Sequence, residues 1–367
     1  MTLYEILMMD MKLPIITNPN LRILVTRTDR MGDVMLSTPV FAALRKRFPA
    51  AFIAAMVLPQ NRELLEGNPA INEVIIYDKR GVQKHWVQNI FFSKKLRSYH
   101  FDIAIHLHPT NRVHLLSFLA GIPVRIGYDK KWGKLLTHRF MEEKRFGKRH
   151  EAVYNFDLLQ PLGITPSSEL NGEFYVTEHD TAIFDAKLTT YDLRLTAPFI
   201  VINPGASCLS KLWPHERFAA LADILIKQHG IHIVLIGDEE TVSIASMIKK
   251  KMKNTVTDLA GKLSLKDLGV LFSRSVGLIS NDTGPVHIAA AIACPVISLF
   301  GRSDPGLSPE RWRPLGKKSF YIHKPHPCGV CKAHRCEHGF ECLNNIHVAD
   351  VLQVMTQHPA IFPFITL

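Results

Sequence analysis

The most informative part of this chain is the stretch Ser280-Asn281-Asp282-Thr283-Gly284-Pro285-Val286-His287. The apolar run before it, 276–279, predicts a buried strand, and the alanine-rich run after it predicts a helix with proline in its first turn. Such a junction points backbone N–H groups and the positive end of the helix dipole at one spot. A phosphate or diphosphate suits that spot, because Gly284 admits a ligand close to the backbone and Thr283 adds a hydroxyl. An ordinary helix start, capped by Asp282 or Thr283, explains the same residues equally well.

Strands and helices alternate outward from this junction along the whole chain. Short apolar runs separated by longer helical patterns are typical of parallel sheets with helices on both faces. The predicted strands are 23–26, 52–58, 74–77, 102–107, 124–127, 199–203, 232–236, 276–279 and 296–300, and the predicted helices include 34–48, 112–119, 215–229, 240–252, 264–273 and 286–293. We therefore predict an α/β fold with two Rossmann-like, doubly wound parallel-sheet domains that face each other across a cleft.

The 367 residues are enough for two domains with separate cores. We predict a first Rossmann-like domain at 21–175 and a second at 198–345, the latter with a cysteine-rich loop. An N-terminal extension at 1–20, a linker region at 176–197 and a helical tail at 346–367 complete the predicted organisation.

Positive charge is concentrated in the N-terminal half. The chain has 44 Lys and Arg against 33 Asp and Glu, a net charge of +11. Residues 1–175 hold 24 basic and 16 acidic side chains, and the remainder holds 20 and 17. We therefore expect an anionic partner to dock on the first domain. The 47% content of hydrophobic residues argues against a disordered or fibrous chain.

The sequence also bears on the compartment. No apolar run reaches the roughly 18–20 residues that a membrane span needs. The first 20 residues include Glu5 and Asp10 and lack a basic leader before an apolar block, so they make a poor signal peptide. We expect a cytoplasmic protein whose six cysteines stay reduced.

Three other strand ends carry polar residues suited to a site. Asp33 follows the first strand beside a glycine and fits either a general base or a helix N-cap. Lys211 lies beyond the strand that ends at Asn203, and it fits either a diphosphate contact or a solvated surface lysine. Glu240 follows a third strand, where a carboxylate suits a ribose or the start of the next helix.

A cysteine cluster near the C-terminus begins with a Cys-x-x-Cys pair. Its four members are Cys328, Cys331, Cys336 and Cys342. Four thiolates could hold a structural zinc ion in a tetrahedral site. Because the later spacings are irregular, a reduced cluster that stabilises a loop explains them as well.

Two familiar signatures are missing from the sequence. No Gly-x-Gly-x-x-Gly turn follows the first strand, which argues against a dinucleotide-dependent dehydrogenase. His150 and Glu151 lack the second histidine of the zinc-protease signature.

Taken in order, the strand-end motifs resemble those of the ADP-heptose:lipopolysaccharide heptosyltransferases, glycosyltransferase family 9. Asp29-Arg30-Met31-Gly32-Asp33-Val34 resembles the N-terminal signature of that family. Asn203-Pro204-Gly205-Ala206 resembles the central one, and Asn281-Asp282-Thr283-Gly284-Pro285 the C-terminal one. The resemblance covers residue 21 to about residue 352, and the cysteine-rich tail is similar to that of the heptosyltransferase III or II branch.

The resemblance implies an inverting GT-B glycosyltransferase that moves heptose from ADP-L-glycero-β-D-manno-heptose to the lipopolysaccharide inner core. No metal cofactor is expected for the reaction. Asp33 is then the catalytic base. The implied donor-binding residues are Ser207, Lys211, Glu240, Asp282, Thr283, Gly284 and His287. The residues expected to bind the anionic acceptor are Arg30, Lys130, Lys131 and Lys134.

We further expect a monomer that associates peripherally with the inner membrane, where that acceptor lies. Two alternatives stay open. The first is a transferase or epimerase that uses another sugar nucleotide on the same scaffold. The second is a basic nucleic-acid-binding protein, which explains the net charge but not the three strand-end motifs. We therefore expect a sugar nucleotide rather than nucleic acid as the partner.

Overall fold

A computed structural model of the chain describes residues 18, 20–191, 197–324, 326–328, 331 and 333–365. The chain divides into two compact units, the first formed by residues up to 145 together with 149–170, and the second by 146–148 and the residues from 171 onward. The predicted extension at 1–20 lies outside the described residues, apart from 18 and 20.

The first unit contains a six-stranded parallel sheet in the order β3-β2-β1-β4-β5-β6. Its strands are β1 (Arg22–Arg27), β2 (Phe52–Val57), β3 (Glu73–Ile76), β4 (Ile103–His106), β5 (Val124–Tyr128) and β6 (His138–Phe140). Its helices are α1 (Met31–Met35), α2 (Thr38–Arg47), α3 (Trp86–Ser98), α4 (Asn111–Leu119) and α5 (Glu151–Asp157). The strand order reverses between β1 and β4, and in such sheets ligands bind at the carboxyl ends of the strands beside the reversal.

The second unit repeats this plan, with the order β12-β11-β10-β7-β8-β9. Its strands are β7 (Phe199–Asn203), β8 (His232–Leu235), β9 (Thr257–Asp258), β10 (Gly277–Asn281), β11 (Val296–Phe300) and β12 (Ser319–His323). Its helices are α6 (Glu178–Thr190), α7 (His215–His229), α8 (Val242–Lys251), α9 (Leu265–Arg274), α10 (Gly284–Ala291), α11 (Pro309–Trp312), α12 (Glu341–Asn344) and α13 (Val348–Gln357). Here the strand order reverses between β7 and β10.

The middle residues of the central strands are mostly apolar because helices cover both faces of each sheet. Val25 of β1 lies opposite Ala55 and Ile105, and all three are buried. Val201 of β7 lies opposite Val234 and Leu278 in the same way. The predicted fold class, two doubly wound parallel sheets with helices, is confirmed.

Two predicted segments differ from the structure. The single helix expected at 34–48 is divided into α1 and α2, with Pro39 in the first turn of α2. The stretch 176–197, expected as a linker region, contains α6, whose Phe184 and Leu188 are buried. Among the described helices, none combines the length and the hydropathy that crossing a bilayer requires.

Candidate active site

In the second unit, two asparagines join the ends of the strands on either side of the reversal. Asn203, the last residue of β7, donates to the hydroxyls of Ser280 and Thr283, with N–O distances of 3.0 and 2.8 Å. Asn281, the last residue of β10, donates to the carbonyl of Pro204 at 2.7 Å. Because both side chains are buried, these bonds fix the loop after β7 against the turn after β10.

Lys211 lies against this turn. Its Nζ is 2.5 Å from Asp282 Oδ2 and donates to the Asp282 carbonyl at 3.0 Å. The lysine and aspartate side chains are 16% and 9% exposed, so the pair is largely shielded from water. Lys211 is therefore not a solvated surface lysine, and the structure brings it into contact with Asp282, another of the predicted donor-binding residues.

Helix α10 begins at Gly284, two residues after Asp282. Thr283 occupies its N-cap position, but its side chain makes no capping bond to the helix and instead accepts the bond from Asn203. Asp282 is engaged by Lys211 rather than by the helix. The interpretation of this turn as an ordinary capped helix start is therefore wrong. His287 is buried one turn into the helix.

The other two predicted donor residues lie at the same edge of the sheet without touching that pair. Glu240 follows β8, the neighbour of β7, and its side chain is exposed. Ser207 is exposed in the loop after β7. Within the described residues, neither side chain bonds to Lys211 or Asp282.

In the first unit, Arg27 organises the carboxyl end of β1. Its guanidinium is 3% exposed and contacts three carboxylates, those of Asp29 at 2.9 Å, of Glu151 at 3.1 Å and of Asp33. Burial opposes the charge of Arg27, but these carboxylates outweigh it and raise the pKa of Arg27 above its ordinary value. Lys144 adds a second cation, 2.6 Å from Glu151.

Asp33 lies in the first turn of α1, whose N-cap position is Arg30. Its carboxylate is bound by Arg27 and is 14% exposed. The alternative interpretation of Asp33 as a helix N-cap is therefore wrong. The carboxylate is held at the end of β1 and is not completely buried.

Asp29 and His108 form a second pair at this site. Asp29 Oδ2 is 3.2 Å from His108 Nδ1, and His108 follows β4, the strand beside β1. Burial raises the pKa of Asp29 to about 7, although Arg27 acts in the opposite direction. Burial, together with the charge of Arg27, lowers the pKa of His108 to about 4. Near neutral pH the imidazole is therefore neutral while Asp29 titrates.

The predicted acceptor residues lie around the same edge of the first sheet. Arg30 is exposed directly after β1. The other three belong to the loop after β5, in which Lys131 and Lys134 are exposed and Lys130 is paired with Glu142. The positive charge of this loop is therefore partly neutralised within the unit.

The sequence did not reveal several residues of the first site. The predicted strand 23–26 stops one residue before Arg27, and Glu151 figures only in a protease signature that the sequence excludes. Arg27 and Glu151 contact each other although they are 124 residues apart in the sequence, so spacing gives no signal. The signal that could have shown Arg27 is a basic residue directly after the apolar run 23–25 and Thr26, at a position where the strand is buried.

The described residues of the cysteine-rich loop show no zinc site, which was one of the two interpretations of this cluster. Cys328, Cys331, Cys336 and Cys342 are free thiols. In the described part of the chain, which here omits 325, 329, 330 and 332, no group of three or more potential ligands is arranged to hold a metal ion. Neighbouring groups are engaged elsewhere, since Cys336 Sγ accepts from the Phe340 N–H at 3.3 Å and His326 lies 2.8 Å from Glu341. The zinc prediction is therefore not supported.

The sequence of this chain matches a family model and is similar to known proteins. The model of glycosyltransferase family 9 (heptosyltransferase) matches residues 90–340. Lipopolysaccharide heptosyltransferase 3 of Escherichia coli K12 is 28% identical over 299 residues, which cover 77% of this chain and 82% of that protein.

Solved structures are similar over almost the whole chain. A glycosyl transferase family 9 protein from Veillonella parvula superimposes with a TM-score of 0.82 and 25% identity, covering 93% of this chain and 97% of its own. The E. coli ADP-heptose lps heptosyltransferase II gives a TM-score of 0.77 and 26% identity, covering 94% of this chain and 99% of its own. The predicted GT-B class and the predicted family are confirmed, and the chain is a glycosyltransferase that belongs to family 9, the heptosyltransferase family.

Proposed function

We propose that this enzyme transfers heptose from ADP-L-glycero-β-D-manno-heptose to the inner core of lipopolysaccharide, with inversion at the anomeric carbon. The observation that carries the proposal is the shielded contact between Lys211 and the Asp282 turn at the start of α10. The names of the similar proteins, a lipopolysaccharide heptosyltransferase 3 and an ADP-heptose lps heptosyltransferase II, support the choice of donor and acceptor.

The donor is assigned to the second unit. The ammonium of Lys211 and the N-terminus of α10 hold the diphosphate, with Thr283 and Gly284 lining the turn. Asp282 keeps Lys211 in place, and His287 lies behind the turn. Glu240 and Ser207 contact the nucleotide from the neighbouring loops. As the bond between the anomeric carbon and the diphosphate oxygen breaks, its electron pair passes to ADP, and Lys211 stabilises the charge that develops there.

The acceptor is assigned to the first unit. The acceptor hydroxyl attacks the anomeric carbon on the face opposite the diphosphate, and Asp33 takes its proton. Arg27 orients the Asp33 carboxylate for this transfer. Arg30, Lys131 and Lys134 contact the phosphates and carboxylates of the acceptor. Lys130, which is paired with Glu142, adds positive charge to the same loop. The enzyme acts as a monomer that associates peripherally with the cytoplasmic face of the inner membrane.

Calorimetric titration with ADP-heptose, a UDP-sugar and a GDP-sugar tests the donor. We expect binding of the ADP-sugar alone, followed by transfer of heptose to a purified core acceptor. Preferential binding of a UDP- or GDP-sugar would instead favour another transferase or an epimerase on this scaffold.

A further inference from the structure

Helix α3 exposes large apolar side chains at its N-terminal end. Trp86, Val87, Ile90 and Phe91 are 54%, 58%, 49% and 63% exposed. At about 100° per residue, these four positions fall on one stripe about 140° wide. The opposite face of the helix is buried through Asn89, Phe92, Ser93 and Leu96.

Two further residues from other segments extend this stripe. Val82, in the loop before α3, is 68% exposed. Trp132, in the loop after β5, stacks on Trp86 with ring centroids 6.3 Å apart and is itself 42% exposed. We call Val82, Trp86, Val87, Ile90, Phe91 and Trp132 the apolar patch.

The loop that carries the first part of the patch is tightly held. Arg112 donates to the carbonyls of Lys79 and Lys84, at 3.0 and 3.1 Å. Asn89, buried on the inner face of α3, donates to the carbonyl of Gln83 at 2.9 Å. The apolar side chains are therefore displayed on an ordered surface.

Positive charge surrounds the apolar patch. Residues 79–101 contain six Lys and Arg and no Asp or Glu. Lys84 precedes α3, while Lys94, Lys95 and Arg97 follow the apolar stripe along the helix, and all four are exposed. Exposed tryptophans beside an apolar stripe and a basic flank are typical of helices that lie in a membrane interface, where anionic lipids attract lysine and arginine.

The patch also borders the candidate acceptor end of the first unit. Lys79 donates to the carbonyl of Thr28 at 2.7 Å, immediately before Asp29 at the end of β1. Trp132 belongs to the same loop as Lys131 and Lys134.

We propose that the apolar patch inserts into the surface of a bilayer that contains anionic lipids, and that the basic residues around it bind the lipid headgroups. The inference deepens the proposed function and rests on it in one respect, because a lipid-anchored acceptor lies at such a surface. The apolar side chains enter the bilayer, and Lys94 and Lys95 make the protein bind negatively charged lipids in preference to neutral ones.

Co-sedimentation of the full chain with phosphatidylethanolamine–phosphatidylglycerol vesicles tests the proposal. We expect the double variant Trp86→Ser, Phe91→Ser to bind these vesicles at least tenfold more weakly than the wild type. The variant Lys94→Glu, Lys95→Glu should lose the preference for these vesicles over phosphatidylcholine vesicles. The matched control is Ile183→Ser, Met247→Ser, which removes side chains 48% and 42% exposed in the second unit and should leave binding unchanged.

Equal binding by the wild type and the Trp86, Phe91 variant would overturn the proposal. So would a wild-type dimer in sedimentation velocity that this variant abolishes, since a second copy of the chain would then be the occupant. Transfer to a detergent-solubilised acceptor separates the two proposals. If the variant loses vesicle binding but keeps this activity, the patch serves the membrane. If the wild type has no such activity, the proposed function fails while the vesicle result still stands.

Discussion

At the scale of single residues, the geometry around Asp33 depends on Arg27. This arginine is shared by Asp29, Asp33 and Glu151, so no single carboxylate neutralises it. A carboxylate fixed in this way loses little conformational freedom when it accepts a proton, which is what a general base requires.

Replacing Asp33 with Asn tests the base directly. Because an amide cannot accept the proton of the acceptor hydroxyl, we expect kcat to fall by about 10²- to 10⁴-fold while ADP binding persists. Single-turnover transfer rates and calorimetry with ADP provide the two measurements.

Asp29→Asn is the matched control for this variant, because it also removes a carboxylate bound by Arg27. We expect Asp29→Asn to keep far more activity than Asp33→Asn. Equal losses in both variants, or a near-wild-type rate for Asp33→Asn, would contradict the assigned role of Asp33.

Lys211 is the residue on which the donor assignment depends most. Removing a charge-assisted contact to a phosphate typically costs about 1.5–3 kcal/mol, so we expect Lys211→Ala to weaken ADP binding by roughly 10- to 150-fold. Lys249→Ala is the matched control, since Lys249 forms a 2.6 Å ion pair with Asp258 in the same unit. Unchanged ADP affinity in Lys211→Ala would disprove the diphosphate contact.

The raised pKa of Asp29 predicts a dependence of stability on pH. Burial favours the protonated carboxyl in the folded protein, with a pKa of about 7, against an ordinary value of 3.8. The raised pKa of Asp29 therefore adds to the free energy of unfolding. This added stability is fully present below about pH 4 and is lost as the pH rises to about 7.

Thermal melts of the wild type and Asp29→Asn between pH 4 and 8 measure this effect. Because His108 contacts Asp29, the same pair of melts in a His108→Gln background separates the titration of Asp29 from that of the imidazole. We expect the wild type to lose stability relative to the variant as the pH rises, and parallel curves would show that Asp29 ionises normally.

At the scale of elements, the loop after β5 carries the predicted acceptor charges. Lys130 is already paired with Glu142, so Lys131 and Lys134 are the better residues to change. We expect Lys131→Glu, Lys134→Glu to raise the KM for the acceptor at low salt and to spare ADP binding, with a smaller difference from the wild type at high salt.

Lys250→Glu, Lys251→Glu is the control for this change, because it makes the same charge reversal at the end of α8 in the second unit. If the two double variants raise the acceptor KM equally, the effect comes from net charge rather than from the loop after β5.

Elements with a strong local signal were predictable from the sequence. Helix α7 has the predicted bounds, because its apolar face is regular and Gly230 ends it in a left-handed conformation. Strand β6, three residues long and without a buried residue, has no such signal and was missed. The residues of the candidate sites can be separated in the same way, into those that a local motif reveals and those that it does not. Lys211 and Asp282 lie in local motifs, whereas the contact of Arg27 with Glu151 joins distant parts of the chain and needs the folded structure.

At the scale of the whole molecule, the two units contain parallel sheets of the same strand order. Read from its other edge, the second sheet is β9-β8-β7-β10-β11-β12, which repeats the order of the first. Each site lies where its strand order reverses, so the positions of both sites follow from topology. The two units differ in net charge, because residues 1–175 carry most of the excess of Lys and Arg over Asp and Glu.

The residues predicted as a C-terminal tail belong to the core of the second unit. Val351, Met355 and Phe362 are buried in the same apolar cluster as β7 and α7. Trp213, two residues after Lys211, donates its indole N–H to the carbonyl of Ile346 at 2.9 Å. The loop that carries Lys211 is thus fastened to the last part of the core.

This arrangement sets an order of events during synthesis on the ribosome. Domains generally fold as units, the N-terminal one first, while the chain is still being made. The first unit has its whole sheet once β6 has emerged, but the second lacks part of its core until α13 has been translated. We therefore expect the unit that holds Asp33 to fold early, and the unit that holds Lys211 to complete its core only after α13 and the residues behind it have been made.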